Sequence, residues 1–254
     1  MDNKNKIIKL FDDNVKGKPI NIVNHHDGSE GHWLETQMGI KHNNKNAPDI
    51  FGYEMKKNSK KITFGDFSAT EYLFSKNKPK INKYNIVNID ISRNQYIHYF
   101  GTKKESKNNR YSWSGSCVPK FGEYNQCGQI LLVNEDKDIY IVYSYEHDTR
   151  ENKNTLPEFI KTDNKLIALW DHDKMEHHIN NKFNNEGFFI CEKVDDVYKN
   201  IYFGLPFNYD QFINGIITRS IYFDSGMYEG NTRNYSQFRS NKNNFWSSLI
   251  IEEH

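Results

Sequence analysis

Cysteine is scarce in this chain. Cys117, Cys127 and Cys191 are its three cysteines; they form no Cys-x-x-Cys pair, and an odd number outside any secretory context gives no disulfide framework. A reducing cytoplasm is the expected location. Long apolar runs are missing as well. The amino terminus, Met-Asp-Asn-Lys-Asn-Lys, leads only into the short apolar stretch 7–11, too short for a signal-peptide core, and no run elsewhere reaches the ~18 residues of a membrane span. The expected protein is soluble and not exported. Net charge is nearly absent: 34 Lys and Arg against 33 Asp and Glu leave +1. Overall basicity therefore does not point to nucleic acid, and any such contact must come from a local arrangement of Lys and Arg. There is no repeat of fixed period.

What the chain does have is aromatic bulk. Its 17 Phe, 16 Tyr and 4 Trp supply the apolar volume that disordered chains lack, and 254 residues suit one large domain or two lobes. Polar Asn/Lys-rich segments at 41–46, 75–84, 102–110, 151–154 and 230–244 read as loops. Between them, 29–38 reads as a short helix, and 50–55 and 61–67 as strands. Further strands are predicted at 95–100, 129–134, 138–145, 166–170, 188–194 and 219–223, with a hairpin around Asn134-Glu135-Asp136-Lys137. Helices are predicted at 171–183 and 207–215, and a terminal one at 244–251. This is a mixed α/β pattern.

The stretch that carries chemistry is Ala47-Pro48-Asp49-Ile50-Phe51-Gly52-Tyr53-Glu54-Met55-Lys56. On a strand, Glu54 and Lys56 project from one face because side chains alternate with period two, and Asp49, at the strand start or the preceding turn, can lean toward the same point. Two carboxylates converging there make a hard oxygen site suited to Mg²⁺, which binds through one or two carboxylates and keeps several waters. Asp49 and Glu54 are the candidate metal ligands. Lys56 is the candidate catalytic cation, orienting a water and offsetting charge that develops on a phosphate. Lys57 points to the opposite face. Gly52 permits a close backbone approach or a bulge. Acid-x-Lys is also an ordinary pattern on exposed strands, so the surroundings decide.

Those surroundings are Gly31-His32-Trp33-Leu34-Glu35, then Gly39-Ile40, and downstream Ile62-Thr63-Phe64. The whole run, G-x-x-L-E-x-x-x-G-I, P-D-x-x-G-x-E-x-K and T-x-F, resembles the MutH/MvaI/BcnI group of PD-(D/E)xK nucleases over about residues 28–67. The resemblance implies a nuclease core with a mixed β-sheet flanked by helices, and two lobes around a DNA cleft. It also implies an approximate division into a catalytic lobe, 1–125, and a recognition lobe with returning core elements, 126–254. Asp49 and Glu54 are then the metal ligands and Lys56 the catalytic lysine. Glu35 becomes an auxiliary acid on the preceding helix; without the resemblance it reads as a surface residue.

The second informative stretch is 224–239, where Gly-permitted turns carry Arg, Asn, Tyr, Ser and Gln. Arg can read guanine bidentately, Asn or Gln can read adenine, and hydroxyls and Arg hold phosphates. Tyr228, Asn231, Arg233, Tyr235, Ser236 and Arg239 are the candidate DNA-binding residues. This part resembles LlaMI-like restriction enzymes, and more loosely the recognition lobe of MvaI-like ones, whose His-Asp feature is not found between Asp224 and Arg239.

Other motifs carry less. Trp170-Asp171-His172-Asp173-Lys174-Met175-Glu176-His177-His178 lacks H-E-x-x-H spacing and spreads its His and acid residues around a helix, so a solvated face is the simpler reading. His25-His26 could contact phosphate but reads more simply as an exposed pair. Asp224-Ser225-Gly226 lacks the frame of a serine nucleophile elbow.

The expected function is type II restriction: Mg²⁺-dependent, site-specific hydrolysis of double-stranded DNA. The resemblance implies a monomer, with a cognate DNA methyltransferase as a genetic rather than physical partner. Two rivals stand beside it, a MutH-like strand-nicking repair endonuclease and a non-catalytic DNA-binding module.

Overall fold

Helix α1 (Asn3–Asn14) begins where Asp2 accepts a hydrogen bond from the Asn5 amide at 2.8 Å, and it buries Ile7 and Phe11 four residues apart on one face. The computed structural model describes residues 2–22, 28–41, 46–82 and 90–254; the His25-His26 pair lies outside them. In chain order there follow α2 (Ser29–Gln37), β1 (Tyr53–Lys57), β2 (Ile62–Asp66), β3 (Glu71–Tyr72), α3 (Pro79–Asn82) and α4 (Arg93–Phe100). Next come β4 (Thr102–Lys104), β5 (Arg110–Trp113), β6 (Cys127–Val133), β7 (Ile139–Asp148), β8 (Lys165–Trp170), α5 (His172–Phe183), β9 (Gly187–Val194) and β10 (Val197–Gly204). The chain closes with α6 (Tyr209–Ile217), β11 (Tyr222–Ser225), β12 (Met227–Tyr228), β13 (Ser236–Ser240) and β14 (Ile250–Glu253). None of the described helices is long and apolar enough to cross a membrane. The three cysteines are free and buried.

Contacts divide the chain into two units that are interleaved in sequence: Met1–Ile62, Glu176–Phe212 and Ser240–His254 form one, Thr63–Met175 and Ile213–Arg239 the other.

The first unit is built on a mixed sheet of order β1-β9-β10-β14, in which β1 runs parallel to β9 and the other pairs are antiparallel. Side-chain alternation sorts β1 between two faces. Met55 joins Ile7, Phe11, Leu34, Met38 and Phe189 in a cluster that packs α1 and α2 on one face. Glu54 and Lys56 lie on the other, in register with Phe188 and Ile190. There Phe183 of α5 stacks on Phe207 at 4.6 Å between ring centroids, and Phe188 meets Trp246 at 4.9 Å.

The second unit carries three sheets: β3-β8-β7-β6, β11-β13-β2 and β12-β5-β4. Its interior is aromatic. Tyr96 contacts Phe100 and Trp113, and Trp170 contacts Phe223 and Phe238. The buried indole of Trp113 donates to Gln129 at 2.8 Å, giving a buried polar group the partner it requires.

Several sequence expectations change, among them the loop read at 102–110, which holds β4 and the start of β5. Residues 95–100 are helical, not a strand: Ser92 and Gln95 form a reciprocal capping box that starts α4, and this local signal outweighs the β-favouring Tyr, Ile and Phe. The expected terminal helix is a short π-turn at Lys242–Trp246 followed by β14, which pairs with the β10 edge. The strand expected at 219–223 starts later, at Tyr222, after Arg219 turns through a left-handed φ of 62°. The hairpin at 134–137 is present, closed by Lys137 N–H donating to Asn134 O at 3.0 Å.

Candidate active site

The spacing of Asp49 and Glu54 has a structural cause. Residues 50–53 are a tight turn rather than the start of the strand: Ile50 and Tyr53 exchange amide hydrogen bonds of 3.1 and 2.9 Å, and Phe51 and Gly52 both have positive φ, 49° and 86°. Two consecutive left-handed residues are the mark of a type I′ turn. Gly52 is confined further, since a Cβ there would lie 2.7 Å from Cγ of Glu186. The reversal folds Asp49 back along β1, where its Oδ2 accepts the Met55 N–H at 2.9 Å.

Glu54 is buried, with 2% of its surface exposed. Its Oε1 accepts from Lys56 Nζ at 2.7 Å and lies 3.0 Å from Lys182 Nζ on α5. Among the described residues its Oε2, itself buried, has no hydrogen-bond partner, and such an unpaired oxygen on a buried anion costs free energy unless something binds it. Lys56, itself buried, also lies over the Phe183 ring at 5.4 Å. Lys57 points the other way and pairs with Glu30 at 3.1 Å.

The charges are strongly coupled. Burial, and then the Glu54 carboxylate, push Asp49 up from 3.8 to about 7. Burial holds Lys56 below its ordinary value, with the Lys182 charge adding to the effect. Burial also pulls on Lys182, but Glu54 outweighs it and leaves that ammonium above its ordinary value; the charge of Glu35 contributes in the same direction. Glu35 is thus electrostatically part of the site, while its own Oε2 lies 3.3 Å from His32 Nδ1.

A buried Asp49 whose proton is held up by burial and by Glu54, beside a Glu54 with an unpartnered oxygen, makes a pair of carboxyl groups that fits a hard divalent cation. Among the described residues no group of three or more His, Cys, Asp or Glu gathers into a metal site. The pair is therefore the donor set on offer, and the 170–178 His/acid run is not a cluster. Lys182 escaped the sequence reading because it is 126 residues from Lys56; only the packing of α5 over β1 joins them.

The family model for the LlaMI restriction endonuclease matches residues 13–254. The type II restriction enzyme ScrFI of Lactococcus lactis subsp. cremoris is 41% identical over 274 residues, spanning 99% of this chain and 98% of the relative. The chain belongs to the LlaMI restriction endonuclease family. It is a type II restriction endonuclease, a site-specific deoxyribonuclease. Its fold matches that of the restriction endonuclease MvaI in complex with cognate DNA substrate, at a TM-score of 0.57 and 16% identity, covering 99% of this chain and 95% of that one. The architecture is accordingly of the PD-(D/E)xK type.

In this LlaMI-family enzyme the 224–239 segment lies in the second unit as β11, β12, a loop and β13. Arg93 of α4 holds the loop by its whole guanidinium, donating to Asn234 Oδ1 at 2.7 Å, Tyr228 O at 3.1 Å and Arg233 O at 2.8 Å, and also to Asn231 O. Arg233 is exposed, lies over the Tyr235 ring at 4.5 Å and pairs with Asp66 at 3.1 Å. Asn231 Oδ1 accepts the Arg233 N–H at 2.7 Å. Arg239 pairs with Asp224 at 3.1 Å. Tyr228 is half-buried beneath the Arg110 guanidinium, 3.7 Å from its ring centroid. Ser236 is fully buried, sharing a 2.6 Å hydrogen bond with Tyr72, so its hydroxyl anchors the loop rather than facing solvent.

Proposed function

We propose that this enzyme uses Asp49 and Glu54 to hold Mg²⁺ and Lys56 to serve the attacking water, hydrolysing both strands of duplex DNA at a short sequence to leave 5′-phosphate and 3′-hydroxyl ends. The observation that carries this is Glu54: a buried carboxylate with two ammoniums on one oxygen and, among the described residues, no hydrogen-bond partner on the other. A bound divalent cation supplies Lewis acidity to a phosphate and lowers the pKa of water. The protein's own part is to keep Asp49 and Glu54 converged through the 50–53 turn. Lys56, its proton loosened by burial, orients the water and offsets charge building on phosphorus. Glu35 is an auxiliary acid that balances Lys182.

The catalytic residues fall within 1–125 and the candidate reading residues within 126–254. We assign catalysis to the first part and recognition to the second, with later segments returning to the catalytic unit. Tyr228, Asn231, Arg233, Tyr235 and Arg239 then face DNA, while Ser236 secures the base of their loop. The enzyme acts as a cytoplasmic monomer, cutting the strands in succession, and a cognate methyltransferase protects host DNA without binding it.

The test is incubation of purified protein with unmethylated phage DNA in Mg²⁺ and in EDTA, followed by end-sequencing. Discrete fragments with one common end sequence, formed only with Mg²⁺, are expected. No cleavage by folded protein on several substrates overturns the reading.

A further inference from the structure

The β4–β5 hairpin stands out in a chain of almost no net charge. Residues 102–110 carry Lys103, Lys104, Lys107 and Arg110 against a single acid, Glu105. Its tip is a three-residue 3₁₀ turn, Glu105–Lys107, followed by Asn108 and Asn109 at left-handed φ of 56° and 57°, a conformation that Asn tolerates better than most residues.

Hydrogen bonding joins this hairpin directly to the candidate recognition loop. Strand β5 pairs on one side with β4, setting Lys104 opposite Arg110 and Lys103 opposite Tyr111, and on the other with β12, setting Tyr228 opposite Ser112. Residues opposite each other in an antiparallel pair share a face, as do residues two apart. Lys104, Arg110 and Tyr228 therefore lie on one face, and Lys103 on the other. The Arg110–Tyr228 stack closes that face, and among the described residues Arg110 Nε has no hydrogen-bond partner. An acid at this junction is already engaged: Glu229 accepts from the Tyr111 amide at 3.4 Å and lies 2.9 Å from His98 Nε2.

We propose that this hairpin is a phosphate-binding arm for duplex DNA, with Lys104, Lys107 and Arg110 gripping the backbone beside the bases read from the 228–235 loop. The proposal rests on the nuclease reading above. Lys107 is exposed at the tip and makes no ion pair among the described residues. Among the described residues Lys104 donates only to the Ser114 carbonyl, at 3.2 Å, and makes no ion pair. Backbone contacts position a protein without reading sequence, so the arm contributes affinity equally on any duplex.

The experiment is equilibrium binding in EDTA, as a function of salt, to a random duplex and to one carrying the sequence found by end-mapping. Each phosphate contact contributes about 0.9 to the slope of log K against log salt. The Lys104→Gln/Lys107→Gln/Arg110→Gln variant should reduce that slope by about 2–3 on both duplexes. The single Lys107→Gln variant should reduce it by about 1, which keeps the test valid if the triple variant folds poorly. Lys103→Gln, on the opposite face, should leave it unchanged. Wild-type binding with equal slopes in wild type, single and triple variants overturns the arm alone. A loss from Lys103→Gln equal to that from Lys107→Gln overturns its facing. No DNA binding by the wild type overturns the nuclease reading, and the arm with it.

Discussion

Lys182 Nζ lies 3.0 Å from Oε1 of Glu54, the oxygen that Lys56 reaches at 2.7 Å. Two ammoniums on one carboxylate oxygen leave the other oxygen open, and their own repulsion is balanced only by the nearby acids. A second cation in such a site can neutralise charge that builds during hydrolysis, where a charged hydrogen bond is worth roughly 1.5–3 kcal/mol. Lys182→Ala should therefore slow single-turnover cleavage by about 10–100-fold, and Lys182→Arg should recover part of it. DNA affinity in EDTA should stay within about threefold, a change of under 1 kcal/mol. Cleavage at the wild-type rate by Lys182→Ala would assign that lysine a purely structural role.

Asp49 sets a pH dependence in the metal-free protein. Its folded-state pKa is raised from 3.8 to about 7 by burial and by Glu54, so between those values the native state keeps a proton that the unfolded chain has released. The associated stability is complete below about pH 4 and is lost as pH rises through 7. Melting in EDTA should fall across this window in the wild type and less steeply in Asp49→Asn. Added Mg²⁺ should raise the melting temperature more at pH 8 than at pH 6, because the cation replaces that proton. A stabilisation by Mg²⁺ independent of pH would count against Asp49 as a ligand.

Gly52→Ala should misplace Asp49. The residue has φ of 86° and no room for a Cβ beside Glu186, so strain of about 1–3 kcal/mol is expected. Thermal denaturation should show that loss, with cleavage reduced alongside it. An unchanged melting temperature would mean that the turn relaxes freely.

Arg93 makes a prediction about discrimination. Its planar fork satisfies carbonyls along the 228–233 backbone and the Asn234 side chain, which a point-charge ammonium cannot reproduce. Arg93→Lys should lower the ratio of cognate to random-duplex affinity by about tenfold or more, at least 1.4 kcal/mol, with little change on random DNA. Equal losses on both duplexes would make Arg93 a phosphate contact instead.

Much of this was legible in the sequence, and the remainder has identifiable causes. The strands at 129–134, 138–145, 166–170 and 188–194 declared themselves through apolar, β-branched and aromatic runs. Gly52 announced a close approach, though the type I′ turn it forms with Phe51 was hidden because Phe is a poor left-handed residue. The helix at 93–100 was masked by its aromatic content, while its capping box Ser92-x-x-Gln95 was there to be read. The end of the chain failed differently: Phe245, Trp246, Leu249 and Ile250 have helical spacing, yet the free edge of β10 captures Ile250–Glu253 as a strand. That outcome, like the placing of Lys182 and Arg93, depends on tertiary packing between distant segments that no local pattern encodes.

The central claim, that Asp49, Glu54 and Lys56 perform the hydrolysis, is tested most directly by pairing cleavage with binding in Glu54→Gln and Lys56→Ala. On DNA carrying the mapped site, single-turnover cleavage in Mg²⁺ should drop by about a thousandfold or more in each, some 4 kcal/mol of transition-state stabilisation. Binding of the same duplex in EDTA should stay within about threefold of wild type, under 1 kcal/mol. Cleavage near the wild-type rate in either variant would contradict the account.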